Sequence, residues 1–238
     1  MSTTLAAGPA VRSLALDTSN ARGSVCLLEG RGVVAELRLC SLETHSARLL
    51  RSVEFLLASA GWKLSELGLI AAGLGPGSFT GIRIGVATAL GLAQALGIPF
   101  AGVSCLDALA HRPGLPDGNL HVVTDARRSQ VYHAGYLRRS GRVRRVTRPA
   151  LYHPRVLKEV LRSGKILLIG DGARLYAKEL GLSGSAWPRL VEAELFLSAD
   201  IGRLALMRKR SWRRGDGLRA EPLYIRPPDA KRAPWRSA

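Results

Sequence analysis

Residues 73–93 read Gly73-Leu-Gly-Pro-Gly-Ser-Phe-Thr-Gly-Ile-Arg-Ile-Gly-Val-Ala-Thr-Ala-Leu-Gly-Leu-Ala93, and the fold is decided there. Immediately before it, residues 69–73 form a short apolar run of the kind found in a buried strand. Residues 82–96 then repeat apolar and small side chains at helical spacing until Gly97 and Pro99 end the run. The glycines at 75, 77 and 81 allow positive φ and close backbone approach, and Ser78 and Thr80 are candidate caps for the helix that follows. A helix start of this kind offers free amides and partial positive charge, so a phosphate can sit there. It is not a Walker loop, because no Lys-Ser or Lys-Thr follows the last glycine. A tight strand-to-helix turn without a ligand is the plainer alternative.

Outward from this turn, residues 14–16, 23–28 and 32–39 read as a meander of strands joined by glycine-containing turns. Leu49, Leu50, Val53, Leu56, Leu57 and Ala60 recur at helical spacing and predict an amphipathic helix over 44–60. Residues 100–103 return as a strand. The second half repeats this order, with extended segments at 120–125, 130–137 and 142–146, a helix near 154–163, a strand at 166–169 and a helical segment at 173–180. A helix over 199–209 and a strand-like segment at 222–226 follow. Two α/β lobes with a cleft between them are the expected architecture, divided as 1–105, 106–200 and a C-terminal helix and tail, 201–238, packing back on the lobes.

Strand-to-helix turns from both halves converge on such a cleft. The candidate phosphate or nucleotide residues there are Asp17, Thr18, Ser19, Gly75, Gly77, Ser78, Asp125, Gly170 and Gly172. Simple turn capping explains Asp17-Thr-Ser19 equally well. No metal site is expected, since none of the five histidines has another three or four residues away, and no cofactor is called for. Cys26, Cys40 and Cys105 are widely spaced and read as free thiols.

The helix over 82–96 is apolar almost all round, with Arg83 its one charge, so it should be covered on more than one side. Gly85, Ala89 and Ala93 at four-residue spacing would let another helix approach closely. A helix bundle with a partner is the resulting expectation, its candidate residues being Thr44, His45, Leu49, Leu50, Val53, Leu57, Arg83, Val86, Ala89, Leu90 and Ala93.

Charge adds a second theme. The chain carries 35 basic and 18 acidic residues, and 27 of the basic against 11 of the acidic lie in residues 111–238. Such a field favours polyanions, although an arginine-rich surface can serve solubility alone. Met1 to Ala10 carries no basic residue ahead of an apolar run, and no apolar stretch reaches membrane-spanning length, so a cytoplasmic chain without a membrane anchor is expected.

The run from Gly73, continued through Gly97-Ile-Pro and Gly102-Val-Ser, resembles the signature of the TsaB (YeaZ-type) family. Leu16-Asp-Thr-Ser19, Thr44-His-Ser46, Thr124-Asp-Ala-Arg-Arg128 with Val131-Tyr132, and Pro222-Leu-Tyr-Ile-Arg226 match it too. The resemblance implies a two-lobed actin-like ATPase fold (ASKHA, ribonuclease H-like) with duplicated lobes. It also implies a non-catalytic subunit that pairs, through the two first-lobe helices, with the catalytic paralogue TsaD. A TsaE-type ATPase joins them, and the complex transfers threonylcarbamoyl to N6 of the adenosine beside the anticodon in tRNAs reading codons that begin with A. Self-pairing is expected when the partner is missing. In the catalytic paralogue an HxxxH pair follows the Gly-Val strand and binds the metal; here the stretch reads Gly102-Val-Ser-Cys-Leu-Asp-Ala-Leu-Ala110, without histidine. Ser129-Gln130 departs from the Gly-Glu usual in the family. Arg127, Arg128, Arg142, Arg144 and Arg145 lie in an acid-free stretch and are candidate tRNA contacts. The competing reading is a stand-alone actin-fold ATPase or phosphotransferase using Asp17, Asp125 and Asp171; an independent RNA-binding protein has charge alone in its favour.

Overall fold

The computed structural model describes residues 10–40, 45–161, 164–182, 189–215 and 218–226. Its first half runs β1 (Arg12–Asp17), β2 (Arg22–Glu29), β3 (Gly32–Cys40), α1 (His45–Ala60), β4 (Leu69–Gly73), α2 (Phe79–Leu96) and β5 (Phe100–Val103). A short helix, α3 (Cys105–Ala110), leads into the second half. There the order is β6 (Gly118–Asp125), β7 (Val131–Arg139), β8 (Arg142–Arg145), β9 (Ala150–Tyr152), α4 (Pro154–Val160), β10 (Ile166–Ile169), α5 (Asp171–Leu175), β11 (Arg189–Val191) and α6 (Ser198–Met207).

The two halves share one topology. Read from the same edge, the sheets are β3-β2-β1-β4-β5 and β8-β7-β6-β10-β11, and β9 also pairs with β7. In each, the first two strands are antiparallel and the first strand lies parallel to its later neighbour. This is a two-lobed, duplicated α/β fold.

Side chains alternate across both sheets, as a pleated strand buried on two faces requires. From β1 and β4, Leu14, Leu16, Ile70 and Ala72 turn toward α1 and α2, whereas Ala15, Leu69 and Ala71 turn toward a second core. That second core also takes Leu120 and Val122 from β6, Ala134 and Tyr136 from β7, and Leu167 and Ile169 from β10. Two helices fill it, each crossing from its own half to the other: α3 lies on β6 and β7, and α6 on β1, β2 and β4. The crossing is close at Gly202, where a Cβ would stand 2.4 Å from Leu28 Cδ1 and 3.1 Å from Ala15 Cβ.

Polar ties fasten the same junction. Buried Asp107 of α3 accepts hydrogen bonds from Tyr136 Oη at 2.9 Å, Arg208 at 3.1 Å and Arg145 at 3.4 Å. Asp200 of α6 accepts from Arg112 Nε at 2.7 Å, and burial raises its pKa while Arg112 pulls it back.

Several boundaries differ from the sequence reading. Helix α2 begins at Phe79, because the Ser78 hydroxyl caps the Gly81 amide at 3.2 Å and the first turn forms ahead of Ile82. The helical segment expected at 173–180 is the five-residue α5 followed by separate turns. Residues 222–226 form no ladder among the described residues; Leu223 N donates singly to Leu74 O at 2.8 Å. Helix α3 went unread because six residues carry too little periodicity, although Ser104 accepting from the Asp107 amide is an ordinary cap signal. Thr44, Ser163, the first nine residues and those from 227 onward, including the expected tails, lie outside the described residues.

A histidine pair on the second sheet sets an acid limit on stability. His121 Nδ1 and His133 Nε2 are 2.8 Å apart, Tyr152 packs edge-on against His133, and burial with His121 alongside depresses His133 to about 3. The folded-state pKa lies below the ordinary 6.5, so the unfolded chain binds the extra proton between pH 6.5 and 3, and stability falls as pH drops through that window. Chemical denaturation at pH 5 should give about 2 kcal/mol less stability than at pH 7 from this group, and His133→Phe should flatten that slope.

Candidate functional site

The ends of β1 and β6 face each other across a cleft of about 560 Å³. From the first half come Ser19, Asn20, Gly77, Ser78 and Phe79; from the second come Thr124, Asp125, Arg127, Asp171 and Arg174; residues 223–226 of the C-terminal segment complete the wall.

The glycine turns do not stand open to this space. A Cβ on Gly77 would meet Ser19 O at 2.2 Å, on Gly81 Thr18 O at 2.0 Å, and on Gly85 Thr18 Oγ1 at 2.3 Å. These glycines therefore let α2 settle onto the segment that follows β1. Thr18 Oγ1 donates to Gly81 O at 2.7 Å and the Ser78 amide to Ser19 O at 2.6 Å. The second half repeats the device, with a Cβ on Gly170 meeting Val123 O at 2.3 Å and one on Gly172 meeting Thr124 C at 2.7 Å. Gly75, at φ 89°, has Ile82 Cδ1 where a Cβ would go.

Of the residues singled out for the cleft, Ser19, Gly77, Ser78 and Asp125 line it together. Thr18 is buried beneath α2, Asp17 is buried on the other face of the sheet beside Cys105, and Gly75 and Gly172 serve the turns. Gly170 lines a smaller adjoining hollow of about 350 Å³ with Arg22, Asp171 and Arg174. Asp171 Oδ1 accepts from the amides of Asp125 and Gly172, each at 2.9 Å; burial raises its pKa, and neighbouring Asp125 adds to the rise. Cys105 Sγ lies 3.3 Å from Ser19 Oγ and 3.8 Å from Asp17 Oδ1, but burial and then Asp17 raise its pKa, which keeps the thiol protonated and unreactive. No cluster of three or more His, Cys, Asp or Glu suited to a metal occurs among the described residues.

The run Pro222-Leu-Tyr-Ile-Arg226 carries no sequence signal that marks it as a cleft wall, yet Leu223 to Arg226 line the cleft. Leu223 is tied to Leu74 of the first half, Tyr224 packs at a tilt against Phe79 with centroids 4.9 Å apart, and Arg83 Nε donates to Tyr224 Oη at 3.3 Å. At the far side Arg226 donates to Ala126 O at 2.8 Å, to Arg127 O at 3.4 Å and to Gln130 Oε1. It thereby holds a turn in which Arg127, Arg128 and Ser129 all have φ between 53° and 58°. Three successive residues other than glycine in that region are strained.

The two first-half helices divide their residues differently from expectation. Leu49, Val53, Leu57, Val86, Ala89 and Ala93 are buried in this chain's own core, beneath α1 and α2, and Leu90 is partly buried against it. The outward row on α2 is instead Ala87, Gly91 and Ala95, and a Cβ on Gly91 would meet nothing within 4 Å. On α1 the outward apolar residues are Leu50, 49% exposed, and Phe55, 61% exposed. Arg83 stacks over the Phe79 ring at 3.8 Å. Thr44 and the His45 side chain lie outside the described residues. Helix α2 alone among the described helices has the length and apolar composition to cross a membrane, and its inner face is taken up by the first sheet.

The sequence model of the family described as TsaD, tRNA N6-adenosine threonylcarbamoyltransferase, matches residues 29–170. The tRNA threonylcarbamoyladenosine biosynthesis protein TsaB of Escherichia coli is 32% identical, with 91% of this chain aligned to 95% of that protein. The chain belongs to the TsaB family. Two Pseudomonas aeruginosa structures share its shape. One, described as an uncharacterized protein similar to the peptidase YeaZ, has TM-score 0.75 and 29% identity over 91% of this chain and all of that one. The other, described as YeaZ, has TM-score 0.70 and 30% identity over 84% and 92%.

Within this TsaB-family fold, the stretch Gly102-Val-Ser-Cys-Leu-Asp-Ala-Leu-Ala110 forms the end of β5 and α3, and every residue from Cys105 to Ala110 is buried. Ser129 carries φ 54°, and Gln130 supplies an oxygen to Arg226. Because the α2 glycines differ in surroundings, their substitution should separate two roles. Gly81→Ala should lower stability by more than about 2 kcal/mol through overpacking on Thr18, whereas Gly91→Ala should be neutral or add about 0.5–1 kcal/mol from helix propensity, both read from thermal or denaturant melts.

Proposed function

We propose that this chain is the non-catalytic subunit of the complex that transfers threonylcarbamoyl to N6 of the adenosine beside the anticodon in tRNAs reading codons that begin with A. Membership of a family named for tRNA threonylcarbamoyladenosine biosynthesis gives the pathway. The subunit acts by pairing with a TsaD-type catalytic paralogue and activating it, with a TsaE-type ATPase joining the pair, and it works in the cytoplasm where tRNA is modified.

One observation carries the pairing: the exposed row Ala87, Gly91 and Ala95 on an apolar helix, with Leu50 and Phe55 also exposed on the neighbouring α1. Small side chains in a row let a second helix pair approach at short interaxial distance, and the aliphatic and aromatic neighbours supply the apolar area that the contact removes from water. In an isolated chain that surface would serve a second copy, so a homodimer is the expected state when the partner is missing. The non-catalytic role is supported by 102–110, which carries an apolar buried helix at the place where the catalytic paralogue presents its metal-binding histidines. The peptidase description of the Pseudomonas relative finds no support in the cleft, where no histidine lies beside Ser19, Ser78 or Thr124 among the lining residues and burial keeps the Cys105 thiol inert. A stand-alone phosphotransferase is the weaker reading, since Thr18 is sealed against α2, Asp17 is buried beside Ser19 and Cys105, and Asp125 and Asp171 are the carboxylates that line the cleft.

The test is reconstitution. Unmodified tRNA transcript, threonylcarbamoyl adenylate, and purified TsaD- and TsaE-type subunits should yield modified tRNA at an appreciable rate only when this chain is added. Gly91→Arg should keep the wild-type melting temperature yet weaken pairing with the catalytic subunit at least about tenfold, a change of about 1.4 kcal/mol, by light scattering or calorimetry. Modification that proceeds equally well without this chain would overturn the proposal.

A further inference from the structure

The β7–β8 hairpin sorts the arginines of the second half into two groups. Ser140 and Gly141, with φ of 47° and 73°, make a two-residue turn, and the ladder pairs Arg139 with Arg142 and Leu137 with Arg144. Alternation along each strand fixes the faces. On the inner face, Arg138 is buried and donates to the carbonyls of Ala110 and Arg112, each at 3.3 Å, Val143 joins the core between the sheets, and Arg145 reaches Asp107. On the outer face, Arg139, Arg142 and Arg144 are exposed, and none has a hydrogen bond or ion pair among the described residues. Arg145 is thereby a structural residue, Arg127 lines the cleft, and Arg128 is engaged by a neighbour.

We propose that the outer face of this hairpin, through Arg139, Arg142 and Arg144, binds the phosphate backbone of RNA. The identity of the RNA as tRNA rests on the function proposed above; the phosphate chemistry does not. Four observations point the same way. Arg139 and Arg142 oppose each other across the ladder, a like-charge pair that costs stability unless an anion sits against it. All three cations are arginines, whose planar donors match phosphate oxygens in pairs. The hairpin is held rigidly, with the Ser140 amide donating to Asp117 Oδ2 at 2.5 Å at its tip and Arg138 anchoring its base. From residue 126 to 158 the sequence has nine arginines and no acid, and the carboxylate at the hairpin tip, Asp117, is taken up by the Ser140 amide and Arg138. An edge strand is also protected from pairing by charge, but one lysine accomplishes that without an opposed arginine pair. The outer arginines have no aromatic residue among them, so the contact is to backbone rather than stacked bases.

Fluorescence anisotropy of the isolated full chain with labelled, unmodified tRNA transcript, across about 50 to 200 mM salt, tests this without any partner subunit. Wild type should show a steep loss of affinity with salt. Arg142→Ser/Arg144→Ser should reduce the slope by about 1.4–1.8, at roughly 0.7–0.9 per phosphate released, whatever the RNA sequence. Arg142→Lys/Arg144→Lys should keep most of the slope while binding more weakly, and the charge-matched first-half variant Arg31→Ser/Arg51→Ser should leave the slope unchanged. An unaltered slope in the hairpin double serine variant, or an equal loss in the first-half variant, would overturn the proposal. Binding of poly-glutamate as tight as that of the transcript would also overturn it, by giving the face to acidic proteins. Because no catalytic subunit is present, failure here leaves the pairing function standing, and failure of reconstitution leaves this result readable.

Discussion

Everything in the molecule hangs on one packing constraint: two sheets of identical topology share a single apolar core, and each lends a helix to the other. Helix α3 leaves the first half to lie on β6 and β7, and α6 leaves the second half to lie on β1, β2 and β4. Neither sheet is covered on both faces by its own half alone. During synthesis the face of Ala15, Cys26, Leu28 and Ala71 has no cover until residues 198–207 are made, so the halves are interdependent folding units despite their matching design. Asp107 and Asp200 are buried at this junction with arginines from elsewhere in the chain, and loss of either partner would leave an uncompensated charge in the core.

The same economy of space governs the turns beside the cleft. In each half, glycines bring the helix start against the end of the preceding strand so closely that a methyl group would collide with a carbonyl. Such glycines resemble those of a phosphate-binding loop in sequence, and only the surroundings separate the two uses. Here the space is filled by the protein's own Thr18, Ser19, Val123 and Thr124. The outward row of small residues on α2 is displaced by two positions from the inward one, which is why a single helix can be tightly packed within its lobe and still present a flat surface outside.

Much of the architecture was legible in the chain. Strand alternation, the helical spacing of 82–96 and the repeated order of elements were enough for two α/β lobes, because period-two and period-3.6 patterns survive wherever one face is buried. Helix α3 and strands β9 and β11 were too short to leave a pattern. The site was harder. The sequence marks Gly85, Ala89 and Ala93 as small, but which side of a helix meets the core depends on its rotation, and Thr18 occupies the side that seemed free. Arg145 and Arg144 are neighbours of the same chemistry; the strand's alternation sends one to Asp107 and leaves the other in water.

The C-terminal segment has a mechanical meaning. Attached at one end to Leu74 and Phe79, and at the other to the carbonyls of Ala126 and Arg127 and the amide of Gln130, it is a tether across the mouth of the cleft. To widen the gap between the halves, the protein would have to release those bonds together and free a strained left-handed turn with them. The halves are therefore clasped at the cleft mouth as well as joined at the core, and anything that docks there meets two lobes already fastened to each other.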